Sequence, residues 1–301
     1  MEGKPRTESS FIPAKKDAAP DSRGIYAIEL SNQDFMRLSE FIRSFCGIKF
    51  PPAKKAMLEG RLRKRLMALN FQSFGRYCEY LFGLEGAESE YMHMIDAVTT
   101  NKTDFFRESD HFDYLVETAL PEIVRDGVGP GKRLHVWSAA SSTGEEPYTL
   151  AMVLSEFAQG CAEFQFSILG TDISSAVLEK ARRAIYDQEK ATSIPMTLRR
   201  KYLLKGKDKN KGLVRIIPEL RASVEFKRLN LMEDDYGIEE PMGIVFCRNV
   251  LIYFDRQTQE KIIQRLSNHL MPGGYLFVGH SENLHGMDLP LIQTSTTVYR
   301  K

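Results

Sequence analysis

The chain has 301 residues, long enough for a full α/β domain and a smaller companion, so two domains are expected. With 41 Lys and Arg against 40 Asp and Glu, its formal net charge of +1 excludes a globally basic nucleic-acid binder and leaves any partner to be read from local charge. Cys46, Cys78, Cys161 and Cys247 form no CxxC pair, which speaks for reduced thiols in a cytoplasmic protein and against a metal or redox motif, and no run approaches the roughly 18 apolar residues of a membrane span.

Residues 1–28 contain the polar stretch "MEGKPRTESSFIPAKKDAAPDSRG", which lacks the apolar core of a signal peptide and is expected to be a disordered tail. Residues 29–98 read as a small helical domain. Phe35, Leu38, Phe41, Ile42 and Phe45 share one face of a first helix, Pro51-Pro52 breaks the chain, Leu58, Leu62, Leu66 and Leu69 mark a second helix, and Phe74, Tyr77, Cys78 and Leu81 a third. From about residue 131 strands and helices alternate, which predicts a parallel sheet covered by helices. "RLHVWSAA" is the first strand, and Leu150, Val153, Leu154 and Phe157 form a helical face that stops at Gly160. "EFQFSILGTD" is the second strand; Val177, Leu178, Ala181, Ala184 and Ile185 line the next helix, capped by Ser174 or Ser175. "ASVEFKRLNL" and "MGIVFCRN" are further strands, and a helix around Ile262, Ile263, Leu266 and Leu270 ends at Gly273-Gly274 before "YLFVGH". The stretch from Tyr186 to Val224 is longer than an ordinary connection and holds a hairpin with a polar turn, "YLLKGKDKNKGLVRII", so an inserted antiparallel subdomain is expected at about 193–223. "LIQTSTTVYRK" reads as a strand closing the sheet in an antiparallel hairpin. The glycines of "DGVGPGK" precede the first strand and are read as a surface turn.

In open α/β sheets the ligand lies beyond the carboxyl ends of the strands, which makes Ser138 to Glu146, Thr171-Asp172, Leu229 to Leu231 and Arg248 to Tyr253 the candidate stretches. Asp172 sits where an acidic side chain accepts hydrogen bonds from a ribose diol, and equally where one caps the following helix. A helix N-terminus welcomes a pyrophosphate, yet "SSTGEEP" puts Glu145 and Glu146 there in place of a glycine fan. Two carboxylates suit the helix dipole, repel phosphate and attract an ammonium or sulfonium. S-adenosylmethionine has both cations, a ribose and no phosphate, and is the expected cofactor ahead of a nicotinamide dinucleotide.

"VTTNKTDFFRE", "VWSAASSTGEEPYTLAM", "GTDISSAVLEKAR", "FKRLNL", "FCRNVLIYFD" and "LMPGGYLFVGHSENL" together resemble the chemotaxis receptor glutamate methyltransferases, the CheR family, in register from about Asp34 to the C-terminus. The resemblance implies a class I S-adenosylmethionine-dependent methyltransferase fold at 131–301, a Rossmann-like sheet with a terminal antiparallel hairpin and the inserted β-subdomain. It also implies a helical substrate-recognition domain at 29–98 and a linker and cofactor-contacting segment at 99–130. By the same resemblance Asn101, Thr103 and Arg107 touch the cofactor or line the pocket, and Glu145 holds its methionyl end, with Glu146 the alternative one residue on. Asp172 binds the ribose, Asn230-Leu231 border the adenine, Asn249-Val250 form the floor, and Tyr253 faces the reacting centre with Arg107. Structural readings stand beside these: Arg107 paired with Glu108 or a nearby Asp on an exposed helix, Asn249 as a turn residue, Tyr253 as a core aromatic with a wet tip. His280 in "GHSENL" is read as structural, and Ser141 stands where many members have Cys or Ala.

The implied reaction transfers a methyl group to glutamate side chains of chemoreceptor cytoplasmic helices, giving methyl esters used in sensory adaptation. A glutamate is already ionised at neutral pH and needs no general base, so alignment of the two reactants is the main demand. Opposite the leucines of the second helix lie Lys54, Lys55, Arg61, Lys64 and Arg65, with Glu59 nearby. Such a face steers an acidic receptor helix, or is merely solvated; exposed aromatics for nucleic-acid stacking are not evident. The hairpin around Leu213 to Ile217 resembles the element on which some members dock a receptor's C-terminal peptide as an added strand, with a more charged turn here. No metal, no membrane insertion and a monomer are expected. The rival readings are a non-catalytic S-adenosylmethionine-binding signalling module, which needs neither Arg107 nor Tyr253, and an NAD-dependent oxidoreductase.

Overall fold

The computed structural model describes residues 28–83, 90–128, 132–206 and 212–301. All but the last residue of the expected tail, the hairpin tip at 207–211 and residues 129–131 of the glycine-rich turn lie outside the described residues.

The helical domain packs α1 (Asn32–Cys46), α2 (Lys55–Ala68), α3 (Phe74–Phe82) and α4 (Glu90–Val98) around one core. Ser31 caps α1 by accepting the Asp34 N–H, and Ser73 caps α3 by accepting that of Arg76. Leu58, Leu62 and Leu66 form the buried stripe of α2, each contributing roughly 1.5–3 kcal/mol by burial. Helix α1 stops at Gly47, whose φ of 73° only glycine adopts without strain. A Cβ there would also lie 2.6 Å from the Phe254 ring of the second domain, so this glycine sets how closely the two domains approach.

The segment 99–130 is more than a linker. Helix α5 (Asp110–Tyr114) continues through a π-turn at Leu115–Ala119 into α6 (Leu120–Arg125), and Phe112, Leu115, Leu120 and Ile123 join the core of the large domain. The wide turn falls where Pro121 has no N–H for residue 117 and its ring crowds that carbonyl.

The large domain then runs β1 (Leu134–Ala139), α7 (Glu145–Gly160), β2 (Phe166–Asp172), α8 (Ser175–Arg183), β3 (Ile185–Asp187), α9 (Met196–Tyr202), β4 (Leu203–Lys205), β5 (Leu213–Ile216), α10 (Pro218–Ala222), β6 (Val224–Arg228), β7 (Met242–Cys247), α11 (Arg256–His269), β8 (Leu270–Val278), β9 (Ile292–Ser295) and β10 (Val298–Arg300). Its seven-stranded sheet has the order β6-β2-β1-β7-β8-β10-β9. The pairs from β6 to β8 are parallel, and β10 is antiparallel to both neighbours. Apolar clusters cover both faces, one with Phe246 and Phe277, the other with Trp137, Val245 and Leu276.

Three boundaries differ from the sequence reading. Helix α8 ends before Ile185, because Ala184 turns left-handed (φ 54°) and sends the chain into β3, which pairs with β5; the small β3-β5-β4 sheet therefore starts upstream of residue 193. Helix α11 stops at His269 and β8 begins at Leu270, paired with Met242, so Gly273-Gly274 lie inside the strand at a register shift. A Cβ on Gly274 would meet the Gly243 carbonyl at 3.0 Å, so the bulge needs bare backbone. "LIQTSTTVYRK" is itself the hairpin β9–β10 and supplies both of its strands.

Candidate active site

The carboxyl ends of β1, β2 and β7 open into one cleft enclosing about 1130 Å³, part of it solvent, and the helical domain supplies its opposite wall through residues such as Phe50, Lys54 and Arg61. The wall is latched to the floor: Asn230 Nδ2 donates to the Phe45 carbonyl (2.7 Å), the Lys49 N–H to the Tyr253 carbonyl (3.3 Å), and Lys49 Nζ pairs with Asp255 (3.3 Å).

The turn after β1 carries the cleft's tightest backbone. Ala140 (φ 62°) and Ser142 (φ 50°) are left-handed without being glycine, and Gly144 (φ 94°) follows them. Of the other left-handed non-glycine residues, Phe106 and Glu108 flank Arg107, and Asn249 lines the cleft directly. Such conformations persist only where neighbours over-determine them. Here the Ser141 N–H donates to the Thr171 carbonyl (2.8 Å), the Ser142 N–H to Asp172 Oδ2 (2.9 Å), and Ser142 Oγ to the Asn101 carbonyl (3.0 Å).

Asn101, Thr103, Arg107, Asp172, Asn230, Leu231, Asn249, Val250 and Tyr253 all line this one cleft, brought together from four stretches of sequence. Asp172 is buried, and each of its oxygens accepts one backbone N–H, from Ser142 and Ser174 (both 2.9 Å), leaving a lone pair on each for a ligand. Burial pushes its carboxyl up to about 6, against the pull of those N–H groups and with Asp96 adding to the rise. Arg107 donates to the Lys102 carbonyl (3.2 Å); the ion pair with Glu108 considered for it does not form, and Glu108 turns to Arg248 instead.

Glu145 does not reach the cleft. It is fully buried (0% exposed) on the far side of the turn, accepting from Lys190 Nζ (2.8 Å) and Thr143 Oγ1 (2.6 Å). Its neighbour Glu146 lines the cleft, accepting from Ser138 Oγ (2.7 Å) and Arg248 Nε (2.8 Å). Adjacent helical residues point about 100° apart, so only one of the pair can face the ligand.

The sequence reading missed the groups that hold the floor. Arg248 is buried and meets Glu146 through Nε, Glu108 (3.5 Å) and His111 Nδ1 (2.8 Å) through Nη1, and the Arg107 carbonyl (2.8 Å) through Nη2. Because Arg248 donates to Nδ1, His111 is neutral and carries its proton on Nε2, which donates to Thr297 Oγ1 (2.6 Å). Burial and the Arg248 charge press its pKa down to about 4. Glu108 would be raised by burial, but the Asn249 amide and the Arg248 charge bring it below the usual carboxylate range. Glu108, His111 and His280 converge closely enough to bind a cation, yet Arg248 already supplies the positive charge to that group. Glu282, three residues after Gly279 in "GHSEN", gathers the N–H groups of Gly279 (2.6 Å), Asn249 (2.9 Å) and Leu251 (2.7 Å) and so shapes the floor loop. His280 pairs with Asp110 (3.0 Å) at the surface, as a structural residue does.

The basic face of α2 divides. Lys54 and Arg61 line the cleft, and Arg61 donates to the Val98 carbonyl and to Thr100 Oγ1 (2.7 Å). Lys55 bonds to Asn32 (2.6 Å), and Lys64 is exposed. Arg65 turns inward: its guanidinium takes buried Glu90 in two hydrogen bonds (2.9 and 2.5 Å), and Tyr77 donates to the same carboxylate (3.0 Å). It belongs to the fold of the helical domain, not to a docking face.

The cleft's chemistry fits the expected cofactor. Asp172 has free acceptor positions, Glu146 sets a carboxylate at the start of α7 in the cleft wall, and Ala140 and Ser142 keep the turn small. Comparison with known proteins agrees. Residues 33–99 match the model described as CheR methyltransferase, all-alpha domain, and residues 101–300 the CheR methyltransferase, SAM binding domain. The chain is 41% identical to the chemotaxis protein methyltransferase of Salmonella typhimurium over 90% of this chain and 91% of that protein. It is 38% identical to that of Escherichia coli (90% and 92%) and 37% identical to chemotaxis protein methyltransferase 2 of Pseudomonas aeruginosa (89% and 93%). With both domains matched in order and the cleft between them intact, this chain belongs to the CheR methyltransferase family, S-adenosylmethionine-dependent methyltransferases.

Proposed function

We propose that the chain methylates glutamate side chains on the cytoplasmic helices of chemoreceptors, with Arg107 and Tyr253 presenting the acceptor. The observation that carries this reading is the meeting of Arg107, Tyr253, Arg61 and Lys54 in one cleft with Asp172 and Glu146. S-adenosylmethionine, when bound, supplies an electrophilic methyl group. Asp172 accepts from its ribose, Asn101, Thr103 and Glu146 border its methionyl end, and Asn230, Leu231, Asn249 and Val250 line the adenine side and floor. A glutamate carboxylate is anionic at neutral pH, so the cleft needs to hold and aim it and not to deprotonate it. Arg107 and Tyr253 do the aiming, and helical-domain residues shut out water.

Lys54, Arg61 and exposed Lys64 attract an acidic helix to the cleft mouth, and the reading takes the enzyme as a cytoplasmic monomer that binds no nucleic acid. Among the described residues no helix is long and apolar enough to cross a membrane. The small sheet leaves β4 at one edge, with half-exposed Leu204, where a receptor's C-terminal peptide has room to add as a strand.

The test is transfer of labelled methyl from S-adenosylmethionine to a chemoreceptor cytoplasmic fragment, followed by mild alkali. Label on the receptor that base releases is the expected result, and Arg107→Ala is expected to lower turnover on the order of 100-fold with cofactor affinity largely kept. Base-stable label, or full turnover in the variant, would sink the glutamate assignment or the role of Arg107 respectively.

A further inference from the structure

Helix α7 begins with two carboxylates held in opposite directions. Glu146 is tied to Arg248 on the cleft side, as described. Glu145 and the carbonyl before Gly144 are tied to the small sheet. Tyr186 of β3 donates its hydroxyl to the Thr143 carbonyl (2.8 Å), and Lys190, just after β3, donates to Glu145 (2.8 Å). Burial and the Glu145 charge hold the Tyr186 phenol well above its ordinary range, so it remains a donor. The fit is close on both sides, because a Cβ on Gly144 would lie 2.9 Å from the Tyr186 hydroxyl and 2.9 Å from Ala181 Cβ. The Tyr186 ring is wedged edge-on between Phe105 (4.9 Å) and Tyr148 (6.4 Å), beside the segment that carries Arg107.

The turn these groups grip is the 140–144 run, left-handed at Ala140, Ser142 and Gly144. Its strain has to be held by something, and its cleft-side partners, Asp172 and the Asn101 carbonyl, restrain only the first half. The second half, Thr143 to Glu145, is restrained from β3 of the small sheet and the turn that follows it. We infer that Tyr186 and Lys190 are positioning residues for the cofactor: through Thr143 and Glu145 they fix the turn against which it binds, so that the inserted sheet is a working part of the cofactor site. This rests on the reading that the cofactor lies against residues 140–142 and Asp172. Coupling of this kind is reciprocal, so whatever displaces the small sheet lowers cofactor affinity, and bound cofactor stiffens the sheet.

The test uses the full chain and isothermal titration with S-adenosylmethionine and with S-adenosylhomocysteine, alongside steady-state methylation and thermal unfolding. Tyr186→Phe keeps the ring packing and removes one donor; Lys190→Met keeps the stem of a half-exposed side chain and removes the charge. Each is expected to weaken cofactor binding roughly 5- to 30-fold. The loss should fall on the cofactor KM with kcat within about twofold, and Lys190→Arg should restore affinity to within about threefold. Affinity unchanged in both folded variants overturns the inference, as does a loss that merely tracks unfolding and disappears on cooling. Asp172→Asn is the reference. If it weakens binding while Tyr186→Phe and Lys190→Met do not, only the positioning role falls; if it too leaves affinity unchanged, the placement of the cofactor at this turn falls with it.

Discussion

On the cleft floor Arg248 meets two carboxylates, an imidazole and a carbonyl, all buried or half-buried; on the outer face of α2, Lys64 stands exposed. The same kind of side chain does different work in the two places. In a low-dielectric floor each charge is worth keeping only if fully partnered, and loss of one member strands the rest. On the wet face a charge adds little stability, and its effect is on encounter with an acidic partner, screened by salt. Arg65 shows how sharply the line runs, since it follows Lys64 in sequence yet belongs with the floor in behaviour.

The contrast can be broken most directly at Arg248. Arg248→Met leaves Glu146 and Glu108 without their counter-charge and is expected to destabilise the chain by about 3–5 kcal/mol, with Arg248→Lys a poor rescue because one ammonium cannot reach four partners. Urea denaturation measures it, and a loss below about 1 kcal/mol would mean the floor is wet and the contrast false. A smaller effect sharpens the line between neighbours on α2. Arg65→Met should cost roughly 2–3 kcal/mol, less than a fully buried pair because Arg65 keeps some solvent contact, while leaving the receptor KM of folded enzyme unchanged. Lys64→Glu should do the reverse, holding stability within about 0.5 kcal/mol and raising that KM several-fold at low salt but not at high salt. Equal behaviour of the two variants in both assays would remove the distinction.

A further expected effect is in pH. Asp172 is lifted from 3.8 to about 6 by burial, so the folded chain holds its proton where the unfolded chain does not, and cofactor-free stability falls as pH rises through that window. Ribose hydroxyls donating to the ionised carboxylate favour that form. Cofactor binding near pH 6 is therefore expected to release protons, and affinity to fall up to about tenfold between pH 6 and 5. Calorimetry in buffers of different ionisation enthalpy reads the release; Asp172→Asn should abolish it, and proton uptake on binding would contradict the assignment.

What was legible in the sequence follows the same division. Asp172, Asn249 and the Asn230-Leu231 pair are legible as cleft-lining positions because a strand end places whatever residue stands there, and strand ends are marked by local pattern. Arg248 heads a candidate stretch, but its role is not legible there, because it depends on Glu146, 102 residues away, and no local period reports that distance. Which of Glu145 and Glu146 faces the cleft is not legible for the same reason: each suits a helix N-terminus, and only Lys190, 45 residues on, decides which one turns away. Arg65 counted as surface charge because Glu90 lies 25 residues off on another helix. Boundaries slipped where backbone geometry overrode side-chain pattern, as at left-handed Ala184 and at the glycine-permitted bulge of β8.

The grip of Asn230 on the Phe45 carbonyl has a consequence for how such a protein diversifies. A carbonyl is present whatever residue occupies position 45, so the join between the domains makes no demand on the identity of the side chain there. The helical domain can therefore exchange its exposed residues to suit new acceptors while the join to the cofactor-binding domain stays closed. Drift in substrate preference is thereby separated from drift in chemistry, and the two can be selected one at a time.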